Sequence, residues 1–191
     1  CGIRRFSAIS SGKLIVINIV ENGRSAAIFY GVLMNTNEPT PASVRIMAMN
    51  SLAMREHSAK ELRVKLAKKC DQVDLIAAVV EKLQLDGLQS DSRFAEAYTN
   101  MRLRQGKGAQ IIRFELREKG ISDELINACL INAVQDADWN LLALKAYQKK
   151  FGDRPIEDLK EKSKRMRFLT ARGFSAANID YVFKQPLLKT D

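Results

Sequence analysis

Beyond residue 40 the apolar side chains recur every three or four positions, as in Phe94, Ala97, Tyr98 and Met101, or Leu141, Leu144 and Tyr147. That spacing gathers them on one face of an α-helix. It predicts helices near 42–55, 58–69, 73–85, 91–105, 108–119, 122–134, 137–150, 156–171 and 175–184. Residues that start helices stand before several of these segments: Thr40 ahead of Pro41, Ser90 or Asp91 ahead of the fourth, and Asp136 or Asp138 ahead of the seventh.

Three stretches share one punctuation: KKCDQVDLIAAVV at 68–80, EKGISDELINACL at 118–130 and ARGFSAANIDYVF at 171–183. Superposed at their stops, they align Cys70, Gly120 and Gly173. Leu66, Leu116 and Leu169 stand four residues upstream, Ile76, Ile126 and Ile179 six downstream, and Val80, Leu130 and Phe183 ten downstream. The apolar positions fall on the inward faces of two successive helices, and glycine ends a helix in the left-handed conformation without steric cost. Cys70 departs from this, so the first turn is expected to differ. Lys69, Lys119 and Arg172 precede the stops, where a cation complements the last helical carbonyls, so they are expected to support helix ends.

With a third helix upstream of each pair, the repeat is a three-helix unit with a period of about 50 residues. The expected fold class is all-α: three tandem, helix-turn-helix-like repeats at 41–86, 87–135 and 136–185, followed by a tail at 186–191, in an elongated and curved molecule. Residues 1–40 break the pattern, with β-branched runs and no helical period. They are expected to be disordered or artefactual, with Met34 as the natural start. Two further readings are a secretory leader, disfavoured by Asn18 and by the lack of a small-residue cleavage site, and a hairpin of KLIVINIV and RSAAIFYGVL around ENG.

Apolar residues make up 46% of the 191 and charged residues 28%, a globular balance. The net charge of +9 points to a polyanionic partner: nucleic acid, an anionic membrane surface or an acidic protein face. Arg4, Arg5, Lys13 and Arg24 outnumber Glu21 near the N-terminus, but most of the positive charge lies in the helical body. Three cysteines without a CxxC spacing fit neither a zinc site nor a disulfide framework, and suit a reducing compartment. The apolar run LIVINIV is far short of the roughly 20 residues of a membrane span, so a cytoplasmic protein with no membrane partner is expected.

Candidate chemistry is sparse. His57, the one histidine, is expected in an exposed linker or cap, and no Ser/His/Asp arrangement forms around it. QGKGAQ at 105–110 lacks the GxxxxGK[ST] spacing and a preceding strand, so it is expected to be an interhelical turn. Asp86, Asp91, Asp123 and Asp153 suit helix starts and turns, and form no metal or acid/base pair. Phe94, Tyr98, Trp139, Tyr147 and Phe151 read as core packing. Positive charge carries more information: Arg102, Arg104, Lys107, Arg113 and Arg117 crowd one helix junction, and Lys160, Lys162, Lys164, Arg165 and Arg167 crowd another. The first group spans a turn and is the candidate surface for phosphate or carboxylate contact.

At SDSRFAEAYTNMRLRQGKGAQIIRFELREKGI, residues 90–121, the chain resembles the RecX family of bacterial regulatory proteins. Asp91, Arg93, Phe94, Ala95, Tyr98, Arg102, Gly106, Gly108, Ile112, Leu116, Lys119 and Gly120 carry the resemblance, while ELRVKLAKK and KRMRFLTARGFS occupy the flanking repeats. The likeness covers about 41–184, leaving 1–33 outside. It implies three three-helix repeats, no catalysis and no cofactor. It also implies binding to the RecA recombinase filament on single-stranded DNA, with restraint of its ATPase, strand exchange and co-protease activity. Within that expectation, Arg102, Arg104, Lys107, Arg113 and Arg117 are the partner and DNA contacts, Arg93 and Tyr98 serve packing, and DNA binding is weak and sequence-tolerant. The chain is expected to be a monomer. The alternative is a helix-turn-helix-like transcription regulator that prefers one duplex sequence by several kcal/mol.

Overall fold

The structure, a computed structural model, describes residues 2–10, 13–22, 25–32, 39–136, 138–152 and 154–185. Two units are distinct, Cys1–Thr40 and Pro41–Asp191.

In the first unit the described residues form an antiparallel sheet of β1 (Gly2–Ser10), β2 (Lys13–Asn22) and β3 (Ser25–Val32) in the order β1-β2-β3. The register pairs Ser10 with Lys13 and Asn22 with Ser25. The hairpin reading of the sequence covered β2 and β3 and missed β1. Ile15, Val16, Ile17, Ile19 and Val20 make β2 rich in β-branched residues, whose restricted side chains favour a pleated strand over a helix. Met34 and the tail at 186–191 lie outside the described residues.

The second unit is all-α. Its described residues form α1 (Pro41–Leu52), α2 (Ala59–Ala67), α3 (Val73–Leu85), α4 (Asp91–Arg104), α5 (Ala109–Glu118), α6 (Asp123–Asp136), α7 (Trp139–Phe151), α8 (Leu159–Ala171) and α9 (Ala176–Phe183). Ser58, Ser90, Asp138, Asp158 and Ser175 cap helix starts by accepting a backbone N–H, as short polar side chains do. Helix α8 begins three residues later than expected, because Asp158 rather than a residue near Pro155 supplies the cap.

Each repeat has its own core. Val44, Leu62, Leu66, Ile76 and Val80 fill the first, Phe94, Ile112, Leu116, Ile126 and Leu130 the second, and Tyr147, Leu169, Phe174, Ile179 and Val182 the third. The leucine and isoleucine positions aligned from sequence are all buried. Trp139 opens α7 yet packs against the second core, so it ties the third repeat to its neighbour.

Successive repeats meet at helix ends. In repeat 3 the α8–α9 turn docks on the start of α5: the Gly108 N–H donates to Arg172 O at 2.7 Å and the Gln110 N–H to Gly173 O at 3.1 Å. Helix α5 lacks a side-chain cap, and these carbonyls take its place. At the corresponding joint of repeats 1 and 2, the hydroxyl of Ser58 caps α2 and donates to Lys119 O at 2.7 Å. Ala59 N–H, in turn, donates to Asp91 Oδ1 at 2.8 Å.

Backbones approach so closely at the second joint that glycine is required on both sides. A Cβ on Gly108 would lie 2.3 Å from Gly173 O, and one on Gly173, at φ +84°, would lie 2.6 Å from Ile111 N. Gly87, at φ +69°, has open space around it. Gly108→Ala is therefore expected to cost about 2 to 3 kcal/mol through overpacking, against about 1 kcal/mol for Gly87→Ala through backbone strain alone. Urea unfolding of the two variants checks the contrast.

Candidate functional site

The residues singled out from the sequence divide into a structural joint and a set of surface cations. The joint lies between repeats 1 and 2 and is centred on Tyr98 of α4. Phe94 stacks on Tyr98 with centroids 5.6 Å apart. The Tyr98 hydroxyl donates to Glu115 Oε2 at 3.1 Å and accepts from Arg102 Nη2 at 2.9 Å. Arg102 also pairs with Glu115 at 2.7 Å and donates to Gln105 Oε1 at 2.8 Å. Its guanidinium and the Lys119 ammonium lie 5.1 and 5.3 Å from the Tyr98 ring centroid. Burial pushes the Tyr98 phenol up, with Arg102 opposing and Glu115 adding.

Lys119 is more than a helix cap. Its ammonium reaches across to Glu61 of α2, which Arg55 also contacts at 3.0 Å. Arg172, its counterpart in repeat 3, donates to Gln105 O at 3.0 Å and Gly106 O at 3.2 Å and lies over the Phe168 ring. Both cations thus clamp one repeat to the one before. Arg93 pairs with Glu56 at 2.8 Å, and Asp91 holds Gln89 Nε2 at 2.8 Å while Gln89 donates to His57 O. The residues that carry the family resemblance therefore divide among the first joint (Asp91, Arg93 and Lys119), the core of repeat 2 (Phe94, Ala95, Ile112 and Leu116) and the second joint (Gly106 and Gly108).

Two expectations are corrected. His57 lies in the α1–α2 connection, as expected, but is buried rather than exposed, with Nδ1 2.9 Å from Arg55 O, and burial lowers its pKa. Arg165 does not belong to a basic surface. It is 2% exposed, donates to Tyr147 Oη, Arg154 O and Pro155 O, and pairs with Glu161. Its fork of donors ties the exposed bend at Arg154 and Pro155 to the core of repeat 3.

Of the five candidate contact residues, Arg102 is held in the joint. Arg113 donates to Asn127 Oδ1 and Arg117 pairs with Asp123, each at 2.7 Å. The Arg117–Asp123 pair is about half exposed on both sides and is readily exchanged for another anion. Lys107 is half-buried in the α4–α5 turn, and Arg104 is exposed.

Two of the clefts where the repeats meet are rich in lysine. The first, about 590 Å³, runs between repeats 1 and 2. Lys60, Lys65 and Lys68 face Glu115, Glu118 and Lys119 across it, so its charge is mixed. The second, about 330 Å³, lies between α4 and α7 and contains Arg104, Lys145, Lys149, Lys150 and Arg172, with no carboxylate among the described residues of its lining. Sequence reading found Arg104 but missed the α7 lysines, which look like an ordinary polar helix face until α7 is set against α4. Among the described residues no group of His, Cys, Asp and Glu is placed to hold a metal ion, and no helix is long and apolar enough to cross a membrane.

The fold defines a class: a tandem array of helix-turn-helix-like units joined at their helix ends. Residues 45–83, 90–130 and 142–183 match the first, second and third three-helix domains of RecX. The Regulatory protein RecX of Chromohalobacter salexigens is 43% identical over 141 residues, 74% of this chain and 89% of that protein. That of Legionella pneumophila is 38% identical over 138 residues, 72% and 91% of the two chains. The crystal structure of RecX from Lactobacillus salivarius superposes with a TM-score of 0.64 at 23% identity, covering 75% of this chain and 94% of that one. The chain belongs to the RecX family of regulatory proteins.

The joint carries a pH dependence. Burial raises the Glu61 carboxyl, but hydrogen bonds and charge from Lys119 and Arg55 outweigh it and hold the pKa below the ordinary value. A depressed carboxylate contributes stability that is full above its unfolded pKa and lost as pH falls through its folded one. Urea unfolding is expected to show stability declining as pH is lowered through and below the usual carboxylate range. Glu61→Gln should flatten part of that decline.

Proposed function

We propose that this chain regulates the RecA recombinase, binding it on its single-stranded DNA filament and restraining its ATPase, strand exchange and co-protease activity. In that role it modulates recombination, DNA repair and the SOS response. The observation that carries the reading is the match of all three repeats to the three RecX domains. The residues that carry the resemblance, from Asp91 to Gly120, build the core of repeat 2 and its joints to both neighbours, so the resemblance lies in the architecture that spaces the repeats and their charges.

A repeat array with cations along its length suits a periodic partner. Several weak contacts made by one molecule to neighbouring protomers and phosphates add through effective concentration. Arg104, Lys107, Arg113 and Arg117 are the contacts in this reading, while Arg102 acts through the joint. The chain works as a monomer in the cytoplasm, by binding and without catalysis or a cofactor.

The test is the single-stranded-DNA-dependent ATPase of RecA with this protein titrated in and DNA in large excess, so that competition for DNA cannot imitate inhibition. Loss of activity well below one molecule per recombinase is expected. Undiminished ATPase at equimolar protein overturns the reading and directs attention to selective duplex binding. Charge reversal at Arg113 and Arg117 is expected to weaken inhibition; full inhibition by that variant removes both residues from the contact.

A further inference from the structure

We propose that the cleft between repeats 2 and 3 is a phosphate site for single-stranded nucleic acid, formed by Arg104 from α4 and by Lys145, Lys149 and Lys150 from α7. It rests on the reading above only in expecting nucleic acid as a partner.

Among the described residues Arg104, Lys145, Lys149 and Lys150 enter none of the ion pairs or side-chain hydrogen bonds that hold the fold, in contrast to Arg172 in the same cleft. Helix C-termini carry partial negative charge, which could account for cations near the ends of α4 and α7. At the α4 end that role is taken, because Arg172 donates to the carbonyls of Gln105 and Gly106. Lys145 lies a turn and a half before the end of α7, outside the reach of its terminal carbonyls. Lys145 and Lys149 also stand four residues apart on one helix face, where like charges repel. Among the described residues no carboxylate lines the cleft to offset them, in contrast to the first cleft, where Glu115 and Glu118 stand among the lysines.

The character of the side chains selects the ligand. Lys145, Lys149 and Lys150 are exposed, mobile point charges that track a run of phosphates, whereas a compact anion is better gripped by a rigid, bidentate guanidinium fork. Four cations from two helices are more than one phosphate group neutralises, and they suit successive groups of a strand. The cleft also places them on a joint fixed by the Gly108 and Gly173 backbone contacts, so the two helices present a preset arrangement.

The experiment measures fluorescence anisotropy of a labelled oligothymidylate over a salt series, without recombinase. Three forms of the full chain are compared: wild type, Lys145→Gln with Lys149→Gln, and Lys160→Gln with Lys162→Gln. The last pair is exposed, lies outside the cleft and removes the same charge. For a single strand each phosphate contact contributes about 0.7 to the slope of log affinity against log salt. The cleft variant is expected to bind several-fold more weakly with a slope shallower by about 1.4, and the other variant to keep the wild-type slope. Equal losses in both variants reduce the effect to net charge and overturn the site, as does a cleft variant with the wild-type slope. Helical circular dichroism confirms that the variants fold. Displacement of the oligothymidylate by ATP at matched phosphate concentration overturns the strand assignment in favour of a free nucleotide. A shallower slope together with undiminished RecA ATPase leaves the cleft standing and removes the recombinase reading.

Discussion

Everything in the helical unit depends on one contact: the end of a repeat's second helix meets the start of the second helix of the repeat before. At one joint the Arg172 and Gly173 carbonyls receive the Gly108 and Gln110 amides, and at the other the Lys119 carbonyl receives the Ser58 hydroxyl. Helix ends leave backbone groups unpaired, and the partial charges at opposite ends attract. A contact of this kind satisfies both ends together, and between repeats 2 and 3 backbone geometry alone fixes the approach. The cores remain three separate clusters.

The two joints solve the same problem with different residues. Between repeats 2 and 3 the backbones touch directly, which excludes any side chain at Gly108 and Gly173. Between repeats 1 and 2 a serine hydroxyl and the Asp91 carboxylate intervene, and the wider spacing is filled by Glu61, Lys119, Tyr98 and Arg102. The polar joint is the one open to protonation, because its ion pair holds only while Glu61 is ionised. The backbone joint has no such dependence. A repeat array transmits its geometry from neighbour to neighbour, so these contacts set where every surface charge stands.

Charge then separates by role. Arg102, Arg165 and Arg172 are consumed in the structure, where guanidinium forks satisfy hydroxyls, carboxylates and backbone carbonyls. Lysines on α7 remain outside such networks. The net charge of the chain says only that a polyanion is attracted; the distinction between consumed and available cations says where.

The sequence by itself determined the repeat, its period and the helix starts and stops. These depend on residues close in the chain: Ser90 and Asp138 cap the segments they precede, Gly120 and Gly173 end theirs, and the aligned leucines and isoleucines are buried by helical spacing alone. Tertiary structure decided what depends on residues far apart. Nothing local to REHSAKEL signals that Gln89, bonded to the His57 carbonyl, helps to bury the histidine, or local to KSKRMR that Arg165 turns inward to Tyr147. The third strand of the N-terminal sheet requires β2 as a partner, which a local pattern does not supply. Likewise the α7 lysines are an unremarkable polar face until docking at Gly108 sets them beside Arg104, about 40 residues away in the chain. Local capping and periodicity are encoded over a few residues; proximity across a joint is a property of the assembled fold.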